Sequence, residues 1–178
     1  DNLLAGDEAT EYLYQLGHRT IAYLGVDNSL VFSADRRNGY QLALTRHGIV
    51  PKPEYCVELP SITAGVDTPV HALLRSASRP TAIVVSDDIL ALTLERICTE
   101  TGLSIPADLS ILSFNNSLFA RLTSPQLTSI DINSCQLGME AAAQMISHIE
   151  NPGLPATKIL VPHQLIERDS CARPASHE

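Results

Sequence analysis

Short apolar runs alternate with amphipathic stretches along most of the 178-residue chain. Four of the runs are brief and apolar on both faces, which is typical of strands buried inside a parallel sheet. These runs are TIAYLGV at 20–26, YCVEL at 55–59, TAIVVS at 81–86 and LSILSF at 109–114. Two later segments also predict extended structure, LTSIDI at 127–132 and KILVPHQLIERDS at 158–170.

Apolar residues between these runs recur at helical spacing, and several of the stretches end at a glycine. The predicted helices are residues 5–16, 33–48, 65–78, 87–102 and 134–150. Strands that alternate with helices in this way predict an α/β fold, in which a parallel sheet carries helices on both faces.

Composition narrows this picture to one domain with an aliphatic core. Apolar residues make up 44% of the chain, aromatic residues only 4%, and tryptophan is absent. Residues 150–158 form a turn-rich connector, and residues 171–178 predict a polar tail that has nothing to bury.

Charge and cysteine usage exclude several classes of function. The formal net charge is −8 and no basic run exists, so the chain by itself is not expected to bind nucleic acid. No apolar run is long enough to span a membrane, and no signal peptide opens the chain. The 4 cysteines are far apart and no histidine pair has metal-ligand spacing. We therefore expect reduced thiols in the cytoplasm, with no metal and no cofactor.

The common catalytic and nucleotide-binding motifs are also missing. No G-x-G-x-x-G follows the first strand, and neither a phosphate loop nor a G-x-S-x-G elbow is present. A small α/β enzyme that uses Asp87 with Arg36 is one alternative, but it lacks a nucleophile–base pair at motif spacing. The prediction is therefore that the protein is not an enzyme.

Polar side chains follow three of the predicted strands at the point where each strand ends. In open parallel sheets ligands bind beyond the carboxyl ends of the strands, so these side chains are candidates for a binding site. They are Asp27, Asn28 and Ser29, with Arg36 on the next helix; Ser86, Asp87 and Asp88; and Asn115, Asn116 and Ser117.

Two adjacent aspartates, Asp87 and Asp88, stand at the start of one predicted helix, and we expect them to have different roles. One aspartate can cap the helix by accepting hydrogen bonds from its unpaired N–H groups. A second carboxylate is not needed for that role and becomes a candidate ligand contact. We predict that Asp88 is the cap and that Asp87 contacts the ligand, with a second cap or an ordinary turn residue as the alternative for Asp87.

Six segments together resemble the effector-binding core of the LacI/GalR family of bacterial transcription regulators. The segments are GHRTIAYLG at 17–25, RRNGYQLAL at 36–44, RPTAIVVSDDILAL at 79–92, GLSIPADLSILSFNN at 102–116, LTSPQLTSIDI at 122–132 and LGMEAAAQMI at 137–146. The resemblance covers nearly the whole chain in the order and spacing of the family. It implies a Rossmann-like lobe of a periplasmic-binding-protein-like core.

The resemblance also implies which residues line the effector pocket. Arg36, Asp87 and Asn115 stand at the positions that line it in the family. The chain departs from the family at Asn115, where aspartate is usual, and at Ser113, where glycine is usual. Asp27 is a further candidate contact, and Phe32 is either an apolar wall of the pocket or part of the core. Arg36 has the alternative of a surface arginine paired with Asp27 or its neighbour Asp35.

These residue types predict a neutral, hydroxyl-rich effector. Arg36 supplies donors, Asp87 acceptors and Asn115 both, which suits vicinal hydroxyl groups of a sugar. Asp35 and Arg36 followed by GY at 39–40 most resemble members that respond to maltose-type or related sugars.

The family's organisation implies segments beyond this chain. Members carry an N-terminal helix-turn-helix that binds operator DNA, and most of a first lobe, neither of which is in this sequence. Residues 1–170 would then form the effector-binding core fragment, with residues 131–152 belonging to the other lobe. We expect the helix near 134–150 to expose an apolar face, formed by Leu137, Ala141, Met145 and Ile149.

The predicted helix at 87–102 is apolar on two sides. Leu90, Leu94 and Ile97 form a stripe suited to the sheet, while Ile89 and Leu92 lie on an adjoining face near Arg96. The second stripe is covered either by another element of the chain or by a second copy. The resemblance favours a symmetric homodimer. Its contact would contain Ile89, Leu92 and Arg96, together with the loop from Leu118 to Leu122.

The sequence thus predicts the effector-sensing portion of a sugar-responsive transcription repressor. The alternative is a solute-binding protein of the same fold that delivers its ligand to a transporter. The sequence upstream of Asp1 would discriminate between them, because a repressor would have a basic helix-turn-helix there and a secreted protein an apolar signal.

Overall fold

The computed structural model describes residues 1–27 and 30–175. Its helices are α1 (Asn2–Gln15), α2 (Val31–Arg46), α3 (Asp67–Leu74), α4 (Asp88–Glu100), α5 (Leu118–Leu122) and α6 (Ser134–Glu150). Its strands are β1 (Ile21–Val26), β2 (Cys56–Leu59), β3 (Ala82–Val85), β4 (Ser110–Phe114), β5 (Thr128–Asp131) and β6 (Gln164–Ile166), and a short 3-10 turn covers Pro53–Tyr55.

The strands form a six-stranded sheet in the order β2-β1-β3-β4-β5-β6. The first five strands run parallel, and β6 pairs antiparallel with β5 at one edge. This architecture confirms the predicted α/β class with a mostly parallel sheet. The long extended segment predicted at 158–170 is wrong in extent, because only Gln164–Ile166 pairs as a strand.

Two layers of apolar side chains cover the two faces of the sheet. Alternate residues of β3 show the division, since Ala82 and Val84 pack with α1 and α2 while Ile83 and Val85 pack with α3 and α4. All four residues of β3 are buried, which accounts for the continuous apolar run in the sequence.

Helices α1 and α2 approach each other closely at two glycines. A Cβ atom on Gly39 would lie 2.1 Å from the carbonyl oxygen of Leu3, and one on Gly6 would lie 2.2 Å from the carbonyl oxygen of Arg36. Only glycine permits backbones to pack at this distance. The contact fixes the first turn of α1, with Asn2, beside Arg36.

The chain after β6 is more firmly attached than the sequence predicts. The carbonyl oxygen of Ala172 accepts hydrogen bonds from His18 and Ser110, and Ser110 in turn accepts from the Ala172 amide. Ser170 is fully buried and donates to the carbonyl of Ile111. The predicted polar tail at 171–178 is therefore wrong at its start, because hydrogen bonds with the side chains of His18 and Ser110 anchor Ala172.

Helix α6 has no buried residue. Met145 is 66% exposed and Ile149 72%, and Leu137 and Ala141 are also exposed. The structure thus confirms the predicted exposed apolar face of this helix.

Candidate functional site

An open cleft of about 400 Å³ lies at the carboxyl ends of the parallel strands. Its polar wall is formed by Asp1, Asn2, Arg36, Asp87, Asn115 and His163. Its apolar wall is formed by Ala5, Phe32, Ile132, Leu137 and residues 159–161. The volume and the mixture of apolar walls with a few convergent polar groups are typical of a small-molecule site.

Arg36 lies at the base of this cleft and is only 4% exposed. Its guanidinium donates from Nη1 to the Ser86 carbonyl at 2.6 Å and from Nη2 to Asn115 Oδ1 at 3.3 Å. Its Nε donates to Asn2 Oδ1 at 2.9 Å, across the close contact of α1 with α2. The guanidinium carbon also lies 4.4 Å from the centre of the Phe114 ring.

The alternative of a surface arginine paired with Asp27 or Asp35 is therefore wrong for Arg36. Burial lowers the pKa of this guanidinium, while the nearby carboxylates of Asp87 and Asp88 oppose that effect. An arginine remains protonated in proteins, so the cleft contains a fixed positive charge with its donors already oriented.

Asn115 connects Arg36 to Asp87. Its Nδ2 donates to Asp87 Oδ2 at 2.7 Å, while its Oδ1 accepts from Arg36. The backbone of Asn115 has φ of +95°, a conformation that asparagine tolerates better than most residues. The structure thus brings together the three predicted ligand contacts in one hydrogen-bonded chain of side chains.

Asp87, not Asp88, is the cap of helix α4. Asp87 has an extended backbone and its Oδ1 accepts from the Ile89 amide at 2.8 Å. The predicted division of roles between the two aspartates is therefore wrong, because Asp87 combines the cap with a place in the cleft. Burial raises the pKa of Asp87, and its hydrogen bond from the Ile89 amide opposes this rise.

Asp88 lies behind the cleft and is buried among hydroxyl and amide donors. Its Oδ1 accepts from Ser113 Oγ at 2.5 Å and from Ser129 Oγ at 3.0 Å. Its Oδ2 accepts from the Ser117 amide at 2.6 Å. Asp88 therefore fastens α4 to β4, β5 and the start of α5. The serine at position 113, where the family usually has glycine, supplies one of these donors.

The loop after β4 is held by a second polar network. Asn116 also has positive φ, and its backbone N–H donates to Ser129 Oγ. Its side-chain Oδ1 accepts from Arg168 Nη2 at 2.5 Å. Its Nδ2 donates to Asp131 Oδ2 at 2.9 Å. Asn116 thus supports the backbone that presents Asn115 to the cleft.

The other predicted ligand contacts have different outcomes. Phe32 lines the cleft and is partly exposed, with Arg36 5.4 Å from its ring centre, so it is a wall of the cleft and not core. Asp27 stands at the exit of β1 but is not among the described residues that line the cleft. Asn28 and Ser29 lie outside the described residues.

Sequence reasoning missed the contributions from the two ends of the chain. Asn2 anchors Arg36, and His163 lines the cleft while its Nε2 lies 2.9 Å from Glu8 Oε2. The apolar residues 159–161 lie in the segment that was predicted as strand. No motif marks these positions, because they reach the cleft only through the path of the chain.

The predicted dimer residues occupy one side of α4 and the adjoining α5. Ile89 and Leu92 are partly exposed, whereas Leu118 and Leu122 on α5 are 60% and 70% exposed. Arg96 is exposed and pairs with Asp67 and Glu100. The loop predicted at 118–122 is instead a short helix. Within residues 1–27 and 30–175, no element buries the stripe of Ile89 and Leu92 fully.

No group of three or more histidine, cysteine, aspartate or glutamate side chains within the described residues could hold a metal ion. None of the helices described is both long enough and apolar enough to cross a membrane.

Comparison with known proteins agrees with this geometry. A family model described as a periplasmic binding protein-like domain matches residues 10–171. The probable HTH-type transcriptional repressor ExuR of Bacillus subtilis is 30% identical over 177 residues, covering 97% of this chain and 53% of ExuR. The chain spans about half the length of the curated relatives it matches.

Solved structures show the same relationship. The putative transcriptional regulator LacI from Bacillus cereus subsp. cytotoxis matches with a TM-score of 0.93 and 36% identity, covering 98% of this chain and 62% of that one. A LacI family transcriptional regulator from Enterococcus faecium with bound ribose matches with a TM-score of 0.87 and 29% identity, covering 98% and 65%.

The parallel sheet and the polar cleft at its strand ends define a ligand-binding lobe of the periplasmic-binding-protein-like class. Within that class, the chain belongs to the LacI/GalR family and forms part of its effector-binding core. The relatives are transcription regulators and not enzymes, in agreement with the prediction from the sequence.

Proposed function

We propose that this chain is the effector-sensing part of a transcription repressor and that its cleft binds a sugar. Two relatives support this proposal. ExuR is a probable transcriptional repressor, and the Enterococcus faecium regulator was solved with ribose bound. The solute-binding alternative is not favoured, because these relatives are regulators of transcription.

The observation that carries the proposal is the chain of hydrogen bonds from Arg36 through Asn115 to Asp87. It contains one positive and one negative side chain, joined by a neutral amide. An aspartate at position 115 would place a second carboxylate beside Asp87 and make the trio negative. The asparagine keeps it electrically balanced, which suits a ligand without charge whose hydroxyl groups both donate and accept.

Calorimetry with neutral sugars, ribose and maltose among them, tests this proposal on the regulator that contains this chain. We expect at least one sugar to bind, and Asn115→Ala to weaken that binding about tenfold or more, since it removes a donor and an acceptor. Asn38→Ala is the control, because Asn38 is exposed on the same helix as Arg36 and outside the cleft. Binding of a purine or an amino acid, with no heat from any sugar, would contradict the proposal.

The partners of the whole protein follow from the same proposal. The regulator would be a cytoplasmic homodimer that pairs through Ile89, Leu92 and Arg96 of α4 and through Leu118 and Leu122 of α5. Operator DNA would bind to an N-terminal helix-turn-helix outside this chain, because the net charge of −8 opposes contact of this lobe with phosphates. A second lobe would pack on α6, and effector binding between the lobes would alter the spacing of the two DNA-binding heads.

A further inference from the structure

A second cavity, of about 520 Å³, lies at the amino ends of the parallel strands, opposite the cleft at their carboxyl ends. Its wall includes residues that precede three of the parallel strands: Thr20 before β1, Arg79 and Thr81 before β3, and Asp108 before β4. Pro174 adds the segment that follows β6. The volume falls within the range of roughly 300–1,000 Å³ that is usual for small-molecule sites.

Arg79 is the charged donor of this second cavity. It is only partly exposed, and within residues 1–27 and 30–175 its guanidinium has no hydrogen bond and no ion pair. The other basic residue in the wall, His18, is buried and has both ring nitrogens occupied, by Thr81 Oγ1 and the Ala172 carbonyl. A guanidinium that no carboxylate neutralises is suited to bind a phosphate or carboxylate group through paired N–H donors.

Two serines share the cavity wall with Arg79, in the loop between α3 and β3. Ser76 and Ser78 both lie in the cavity wall. The Ser76 hydroxyl is buried and has no hydrogen-bond partner among the described residues. Rotation about its Cα–Cβ bond would bring it to a ligand in the cavity. The carbonyl of Ser78 accepts from the Tyr55 hydroxyl, which fixes the loop backbone at this point.

The wall also contains one carboxylate and several apolar side chains. Asp108 Oδ2 accepts from the Ser104 amide at 2.8 Å. A negative charge here disfavours a ligand that is anionic throughout, but it suits hydroxyl donors placed away from Arg79. Leu74, Pro106 and Pro174 provide apolar surface for a carbon skeleton.

We propose that this second cavity binds a small hydroxylated metabolite with one anionic group, either a phosphate or a carboxylate. The anionic group contacts Arg79 and the serine hydroxyls, and the hydroxyl groups of the ligand face Asp108. The site is separate from the cleft at Arg36, and its existence does not depend on the sugar proposed there.

Nuclear magnetic resonance titration of the purified protein tests this site. The probes are inorganic phosphate, glucose 6-phosphate, gluconate and glucose. We expect glucose 6-phosphate or gluconate to shift the amide signals of residues 76–81 and the ring signals of His18, with glucose having no effect there. The stronger of the two probes identifies the phosphate or the carboxylate as the anionic group, and inorganic phosphate measures the contribution of the anion alone.

Arg79→Gln and Arg75→Gln form a matched pair of variants. Arg75 is exposed four positions earlier and lines a neighbouring groove, not this cavity, so both variants remove the same charge from the same loop. We expect Arg79→Gln to weaken binding about tenfold or more, and Arg75→Gln to change it less than about threefold. Ser78→Asp, which adds a negative charge to the wall, should weaken it as well.

Two results would overturn the proposal. The first is that none of the four probes shifts these signals at the highest soluble concentration. The second is that Arg75→Gln weakens binding as much as Arg79→Gln, which would reduce the effect to general surface charge. Thermal unfolding of each variant establishes that it is folded. If Arg79→Gln does not fold, the effect of Ser78→Asp on binding tests the site in its place.

Discussion

Asp87 and Asp88 are adjacent, yet the backbone gives them opposite surroundings. Asp87 precedes the first turn of α4, so its carboxylate turns back to the helix N-terminus and also reaches Asn115. Asp88 is the first helical residue and points behind the cleft, where its donors come from β4, β5 and the start of α5. Asp87 therefore lines the cleft, while Asp88 attaches α4 to the rest of the fold.

Alanine substitutions should distinguish these two roles. Asp88→Ala removes the carboxylate to which two serine hydroxyls and one amide donate, and we expect it to lower the free energy of unfolding by about 3 kcal/mol. Asp87→Ala removes a helix cap and should cost about 1 kcal/mol, while effector binding weakens as well. Urea unfolding and calorimetry measure the two effects. A larger stability loss for Asp87→Ala would reverse this assignment.

His18 is a buried histidine whose hydrogen bonds define its neutral form. Its Nε2 faces a carbonyl and must donate, so Nδ1 accepts from the Thr81 hydroxyl at 2.9 Å. Burial lowers the pKa of His18 below its ordinary value of 6.5, and the Ala172 carbonyl opposes this effect. Protonation would reverse the bond with Thr81, whose hydroxyl would then accept from Nδ1 and donate to the Thr20 carbonyl.

This lowered pKa predicts that stability decreases in mild acid. Below about pH 6.5 the unfolded chain binds a proton at His18 that the folded chain resists, so the contribution of the neutral form is lost as pH falls. The His18→Asn variant should show a smaller decrease in the free energy of unfolding between pH 7 and pH 5 than the parent. His148→Asn on α6, a helix without a buried residue, is the control for loss of an imidazole. Equal slopes for all three proteins would show that His18 does not contribute.

At the scale of elements, helix α4 has apolar residues on two sides, one facing the sheet and one adjoining α5. Leu90, Leu94 and Ile97 are buried against the sheet, as the helical spacing predicts. Ile89 and Leu92 continue the apolar surface of α5, where Leu118 and Leu122 are largely exposed. An apolar surface shared by two neighbouring helices is suited to contact with a second protein chain.

The proposed dimer gives this surface a direct test. Leu92→Arg places a charge in the centre of the contact and should convert the dimer to a monomer in light scattering. Leu42→Arg is the matched control, because Leu42 is 50% exposed on α2, away from α4 and α5. A Leu92→Arg protein with the mass and dissociation constant of the parent would exclude this surface as the interface.

At the scale of the whole molecule, the sequence predicted most of what depends on local pattern. The buried runs and helical stripes predicted the order of β1–β5 and of the helices other than α5. The strand-end rule gave a wider set of polar candidates, and the resemblance to the family selected Arg36, Asp87 and Asn115 among them. The roles of Asp87 and Asp88 could not be predicted, because they depend on where β3 ends and on serines 25 and 41 positions away. Asn2 and His163 were missed for a related reason, since only the folded path brings the ends of the chain to the cleft.

Helix α6 differs from every other long helix described here, because it packs on nothing that would bury its apolar face. A helix of 17 residues gains little stability in water by itself, and most helical stability in proteins comes from packing of an apolar face. Helix α4, in contrast, buries six residues. If a second lobe covers α6 in the regulator, α6 should be less stable than α4 only when that lobe is missing.

Hydrogen exchange measures this difference directly. In the 178-residue chain we expect the amides of α6 to exchange far faster than those of α4, because opening of α6 exposes no buried side chain. In a protein that also contains the proposed second lobe, α6 should gain protection while α4 remains as it was. Sedimentation at several concentrations shows whether self-association alone protects α6 in the shorter chain. Slow exchange in α6 of a monomeric chain would mean that the helix is stable without a partner, and the apolar face would then give no support to the proposed second lobe.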